Sequence, residues 1–257
     1  MPDIHPTAIV HPGAVLGEDC IVGPYAIIGP NVVLGPRCRI HPHAIVEGHT
    51  TMGSHNEVFP FACIGGKTQD LKHTGGVAFV RIGDHNVFRE SCTVHAATAE
   101  GDATVVGSHN HFLATTHIAH DCRLGSHIIM SNLATLAGHV VVEDHAILGG
   151  LAAVHQFVRI GRHSMVGGCT KVVQDIPPFM IVDGNPAETR FINKVGLERR
   201  GFHAESIHAL AKAHRILFRS GLNITDALAR MESELPGMPE VQHLAWFARS
   251  SQRGLTK

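Results

Sequence analysis

An apolar residue recurs every six positions through most of this chain. The series runs unbroken from Ile4 to Ile64, returns at Ile82, Phe88 and Val94, and continues from Val106 to Val172. All 26 positions are apolar, and twelve are followed directly by glycine. A period of six matches neither the 3.6-residue turn of a helix nor the two-residue alternation of an ordinary strand. It matches a solenoid of short strands and tight turns, the hexapeptide parallel β-helix. Three hexads close one triangular coil of 18 residues, so each inward side chain stacks on its equivalent 18 positions later. Successive coils then lie about 4.8 Å apart.

The repeat ends near Val172, and Gln174-Asp175-Ile176-Pro177-Pro178 leads the chain out. Gly184-Asn185-Pro186 marks a boundary, because proline cannot join a ladder and glycine permits a turn. The expected domains are therefore a solenoid over 1–184 and a helical domain over 185–257. Residues 204–218 place Ile207, Leu210, Ala211, His214 and Leu217 on one helical face, and 225–234 and 239–250 read as two further helices. Two segments leave the register, near 66–80 and 95–105. Loops ejected from a rigid scaffold commonly build a site. The uncovered flat sides of a triangular coil also favour packing into a symmetric oligomer, with sites between subunits.

The overall charge of −1 does not point to nucleic acid. The two parts differ, however. Residues 1–184 hold 10 basic and 15 acidic side chains, whereas 185–257 hold 11 and 7. The basic tail predicts an acidic partner. No basic-then-apolar leader and no membrane-spanning apolar run is present. The six cysteines contain no Cys-x-x-Cys pair and read as small core side chains in a reducing cytoplasm.

Eighteen of the 22 histidines precede residue 185. Those in Ser54-His55-Asn56, Asp84-His85-Asn86 and Ser108-His109-Asn110 follow a hexad glycine and read as solvent-facing turn residues. His117-Ile118-Ala119-His120-Asp121 is different. Adding 18 to His120 gives Gly138, and adding 18 again gives Gln156; adding 18 to Asp121 gives His139. One ladder thus gathers an imidazole, a carboxylate and a glycine backbone. General-base chemistry needs an imidazole whose tautomer is fixed by a partner. Acyl transfer also needs a donor aimed at the developing oxyanion. A second reading of the same histidines is a zinc site drawn from His117, His120, His139 and His155. Gly150 and Gly168 also stand 18 apart and should stack, with no side chain to fill a groove.

Several segments resemble those of the acyl-[acyl-carrier-protein]–UDP-N-acetylglucosamine O-acyltransferases, which begin lipid A synthesis. They are Gln69-Asp70-Leu71-Lys72, His117-Ile118-Ala119-His120-Asp121-Cys122, Leu136-Ala137-Gly138-His139-Val140, Ala153-Val154-His155-Gln156-Phe157 and Arg199-Arg200-Gly201-Phe202. The resemblance covers nearly the whole chain. It implies a left-handed β-helix with an α-helical C-terminal domain, and a homotrimer with sites between neighbours. It implies that His120 is the general base, Asp121 orients it and Gly138 supplies the oxyanion N–H. Gln69, Asp70, Lys72, His117, His139, His155 and Gln156 would contact the sugar nucleotide or the acyl donor. Asn193, Arg199 and Arg200 would face phosphate or phosphopantetheine. Gly150 and Gly168 would line the acyl-chain groove. No metal or other cofactor is implied beyond the phosphopantetheine of acyl carrier protein, which is acidic and so suits the basic tail. Some relatives acylate a 3-amino analogue of the sugar. Where better-known members carry Arg-Gly-Thr after the histidine, this chain has Ala96-Ala97-Thr98.

Overall fold

A computed structural model describes all 257 residues. Residues 3–183 wind into a left-handed β-helix whose strands, most only two residues long, form three parallel sheets along its length. Alternate side chains of each strand point in and out, so one apolar residue per hexad reaches the axis. All but three of the 26 periodic residues are buried; Ile4, Val10 and Leu16, in the first coil, are only partly covered. The position two residues earlier also points inward and is mostly small, as at Cys20, Ala26, Cys38 and Ala44. Burial pushes the Cys38 thiol up to about 11 and the Cys122 thiol up to about 12, so both pack as unreactive side chains. Cys169 instead lies exposed and Cys63 half-buried.

Asn56, Asn86 and Asn110 depart from the turn role read from the sequence. All three are buried and form a ladder in which each Oδ1 accepts the backbone N–H of the next coil, at Asn86, Asn110 and Ile128. Their amide groups donate to the carbonyls of Gly83, Gly107 and Gly125. A buried amide is tolerated here because both of its ends are paired.

The register survives the two loops. Ile40 pairs with Val58, eighteen residues on, but Val58 pairs with Phe88, thirty on, and Phe88 with Phe112, twenty-four on. The inserts therefore add twelve and six residues. The chain re-enters the wall on four-residue strands, Phe79–Ile82 and Ala103–Val106, which pair with each other, and Phe79–Ile82 also pairs with His49–Met52 below. The segments outside the wall are consequently 67–78 and 96–102, shorter than the irregular hexad count indicated.

The top of the solenoid is closed by Met180–Asp183, which pairs parallel with Met165–Val166 and antiparallel with Glu188–Ile192. The segment after Gly184 thus begins as a strand in the solenoid's own sheet, not as a helix. Four helices follow: α1 (Lys194–Arg199), α2 (Ala204–Arg219), α3 (Ile224–Glu234) and α4 (Pro239–Arg249). Asn223 caps α3 by accepting from the Asp226 N–H, and Pro239 opens α4, where its missing N–H costs nothing. Their apolar faces form a second core with Phe179, Met180 and Ile192. Asp175 fastens the chain's end to the coil: its backbone pairs with Gly254 and Thr256, and its carboxylate accepts from Ser251 and the Arg159 N–H. No helix is long and apolar enough to cross a membrane.

Candidate active site

Every coil turns through corners where one residue adopts positive φ. At the corner between the second and third sheets these residues are Asp121, His139 and Phe157, at φ of 61°, 62° and 64°. The two loops leave at this same corner, one and two coils below. Backbone bonds from His139 N to His120 O (3.0 Å) and from Phe157 N to Gly138 O (3.1 Å) fix the stack. The spacing of 18 therefore places His120 against Gly138 and Asp121 against His139.

The imidazole of His120 lies directly on Gly138. A Cβ at residue 138 would collide with the ring's Cε1 and come within 3.0 Å of Nδ1. Only glycine lets the ring sit there. Gly138 N–H donates to no group in the chain, leaving a free backbone donor beside the imidazole. His120 Nδ1 lies 2.8 Å from Asp121 Oδ2, and the two side chains are only 14% and 10% exposed. A carboxylate at that distance favours a proton on Nδ1, and in the neutral imidazole Nε2 is then the nitrogen that can accept a proton. His139 Nε2 stands 3.6 Å from the same Oδ2, its ring edge-on to His120 at 5.3 Å, and it stacks flat on Phe157 at 4.5 Å.

The loops close around this dyad. Thr98 N–H donates to Asp121 Oδ2 (3.2 Å), and Thr98 Oγ1 lies 3.0 Å from His120 Nδ1. Asp121 N–H donates to Thr104 Oγ1 (2.9 Å). From the first loop, His73 Nδ1 meets Thr98 O (2.9 Å). Asp70 accepts the Lys72 N–H (2.9 Å), which holds its carboxyl below the usual range, with His120 and Lys72 adding to the effect. Gln69 and Lys72 project into solvent. A cavity of about 260 Å³ opens beside the loops, lined in part by Glu47, Lys67, Thr68 and His73.

His117 lies on the flat wall next to this corner. Its Nδ1 meets Thr93 Oγ1 at 2.7 Å and its ring meets His95 edge-on at 4.8 Å. Burial, with His95 and His120 nearby, pushes His117 down to about 4, so it is a neutral hydrogen-bonding group at neutral pH. His155 and Gln156 are exposed two coils above His120, with His155 Nδ1 3.1 Å from the Gln156 carbonyl. The four-histidine zinc set does not assemble. Only His120, Asp121 and His139 bring ligand atoms within 4.8 Å of one another, and His117 is turned towards Thr93.

Other predicted residues lie elsewhere on this chain. Asn193 is buried, its amide oxygen capping α1 at Gly196 N–H and its amide nitrogen donating to the His163 carbonyl. Arg199 and Arg200 are exposed, and Arg200 Nη1 donates to His145 Nδ1 (2.8 Å) at a different corner. Gly150 and Gly168 do stack, with a Cβ at 168 meeting nothing nearer than the Gly150 carbonyl at 3.3 Å. They occupy the corner between the first and second sheets, so a single chain does not join them to His120. Thr98, Thr104 and His73 escaped the sequence reading because they sit in or beside loops where the count of 18 no longer applies.

The chain is similar to known proteins along its whole length. Residues 175–256 match the family model described as UDP-N-acetylglucosamine O-acyltransferase, domain 2, and residues 2–36 match the bacterial transferase hexapeptide repeat. The acyl-[acyl-carrier-protein]–UDP-N-acetylglucosamine O-acyltransferase of Thermodesulfovibrio yellowstonii is 46% identical across all of both chains. That of Thiobacillus denitrificans is 44% identical, again end to end. Among solved structures, LpxA from Acinetobacter baumannii superimposes with a TM-score of 0.96 at 42% identity over 99% of each chain. The UDP-N-acetylglucosamine acyltransferase of Bacteroides fragilis gives 0.96 at 38% identity over 99% of this chain and all of its own. With relatives 44–46% identical over the full length of both chains and solved structures that superimpose along nearly all of it, the chain belongs to the acyl-[acyl-carrier-protein]–UDP-N-acetylglucosamine O-acyltransferases.

Proposed function

We propose that this protein transfers an acyl chain from acyl carrier protein to the 3-hydroxyl of UDP-N-acetylglucosamine, the first step of lipid A synthesis, and that His120 is its general base. The observation that carries the assignment is the His120 ring, paired to Asp121 at Nδ1 and seated on Gly138. His120 Nε2 takes the proton of the sugar hydroxyl as its oxygen attacks the thioester carbonyl. The oxyanion of the tetrahedral intermediate accepts the free Gly138 N–H, a donor already oriented before the reaction. The intermediate collapses by breaking the C–S bond, and His120 returns the proton to the departing phosphopantetheine thiolate. Asp121 stabilises the imidazolium between these two transfers without taking its proton. The chain supplies both base and oxyanion donor, so the step calls for no metal.

Asp70, Lys72, Gln69, His117, His139, His155 and Gln156 surround the dyad from loop, wall and upper coils and form the acceptor and donor surface. Gly150 and Gly168 lie on another corner, as do Arg199 and Arg200 on the tail. This separation supports a site completed by a second copy, and hence a homotrimer in which one subunit's base faces its neighbour's groove and arginines. The basic tail suits an acidic acyl carrier protein, and these substrates assign the reaction to the cytoplasm. The test is mass spectrometry of products from UDP-N-acetylglucosamine and 3-hydroxyacyl carrier proteins of graded chain length. A singly O-acylated sugar nucleotide is expected. Product only from the 3-amino sugar would replace the ester with an amide, and no product from either would overturn the assignment.

A further inference from the structure

We infer that Thr98 is a positioning residue for the reaction: its hydroxyl links the carboxylate of Asp70 to Nδ1 of His120 and locks the imidazole with Nε2 free. The inference rests on His120 as the base. Nδ1 carries one hydrogen and has two oxygens within reach, Asp121 Oδ2 at 2.8 Å and Thr98 Oγ1 at 3.0 Å. When Nδ1–H points between them, Thr98 Oγ1 is an acceptor and its own hydrogen is free to donate. Asp70 Oδ2, 3.4 Å away, is the carboxylate it can reach. Thr68 Oγ1, at 3.3 Å, stands beside the same pair and accepts the Asp70 N–H.

Thr98 also acts through its backbone. Its N–H holds Asp121 Oδ2, and its carbonyl receives His73 from the first loop. One residue of the second loop therefore contacts the base, the orienting carboxylate and three residues of the first loop, Thr68, Asp70 and His73. The ionisable groups facing His120 are Asp121, His139, Asp70, His95 and His117. Of these, Asp70 is the one that Thr98 connects to the imidazole. A sugar nucleotide that engages Asp70 thereby also acts on the hydrogen-bond chain ending at the base. Charged groups joined through such a chain polarise one another more strongly than isolated pairs.

Thr98→Val removes the hydroxyl, keeps the side chain's shape and leaves the backbone bonds intact; Thr98→Ser keeps the hydroxyl. In the full-length enzyme, Thr98→Val is expected to lower kcat about tenfold, the size of one lost hydrogen bond to a charged group. KM for the sugar nucleotide should change less than kcat, and the acid limb of the kcat/KM profile should move to lower pH. Thr98→Ser should restore both. Nitrogen-15 NMR of labelled histidine gives a readout independent of turnover: wild type should hold His120 in the Nδ1–H form, and Thr98→Val should mix in the other tautomer. An unchanged pH limb and tautomer in Thr98→Val, or a serine variant as impaired as the valine one, overturns the inference. Absence of wild-type turnover would count against the proposed reaction, and the tautomer measurement would still decide the role of Thr98.

Discussion

Two corners of the same solenoid set their histidines in contrasting surroundings. At the corner between the third and first sheets, His55, His85, His109, His127, His145 and His163 all take the positive-φ position. Their rings stack nearly parallel, 4.5 to 5.0 Å apart, into one column. At the proposed active-site corner the positive-φ position belongs to Asp121, His139 and Phe157, and the imidazole of His120 sits one residue earlier, against a glycine. The repeat supplies identical backbone to both. What differs is the step of one residue, which turns His120 off the column axis, and the loops, which bring Thr98 to its Nδ1 and Asp70 to Thr98. The neighbours of His120, not the turn that holds it, are what set it apart from the histidine column.

Exchanging the two corners' roles by mutation gives the largest contrast. His120→Ala should reduce turnover about 10²–10⁴-fold, the usual worth of a general base, with the molar mass by light scattering unchanged from wild type. His109→Ala, in the exposed column, should stay within about twofold, as ordinary surface changes do. Equal losses in the two variants would erase the distinction. Gly138→Ala comes next. Its methyl would push the His120 ring from its seat, and displacement of that order costs about a hundredfold in kcat. A crystal structure of the variant should show the ring displaced.

Gly168→Met addresses the third corner. Filling the space above Gly150 should shift donor preference to shorter chains by roughly tenfold in kcat/KM, read by competition between donors. Unchanged preference would remove these glycines from the groove. The smallest effect concerns acid stability. Burial, with His145, Arg200 and Arg162 adding repulsion, lowers His163 from 6.5 to about 4. The unfolded chain binds that proton more tightly, so the contribution is full above about 6.5 and is lost as pH falls towards 4. After a discount for partial exposure it is about 1 kcal/mol, or about 2–4 °C in melting temperature. His163→Gln should flatten the melting curve's pH dependence over that window and leave turnover near wild type.

The wall and the His120–Gly138 ladder were legible in the sequence for one reason: a period of six makes spatial neighbours countable. His120 to Gly138 and Asp121 to His139 follow from addition alone. The same count gave the stack of Gly150 on Gly168, but addition along one chain says nothing about which corners meet across chains. Thr98 was invisible because its loop bonds are made off the ladder. The resemblance implied that Asn193 faces phosphate or phosphopantetheine; in the structure the helix it starts uses its amide oxygen and the His163 carbonyl uses its nitrogen. Asn56, Asn86 and Asn110 looked like turn formers because the sequence does not reveal that both ends of a buried amide find partners.

The offsets of thirty and twenty-four residues have a consequence for how such a protein changes over generations. Both inserts are whole multiples of the repeat, so every apolar position above them keeps its phase in the count that began at Ile4. A loop of this kind can be read as one or two wall panels swung outward on the hinges of a single corner. Lineages could lengthen, trade or withdraw such panels while the masonry above stays plumb, revising what the enzyme grips without redrawing the shaft that holds it upright.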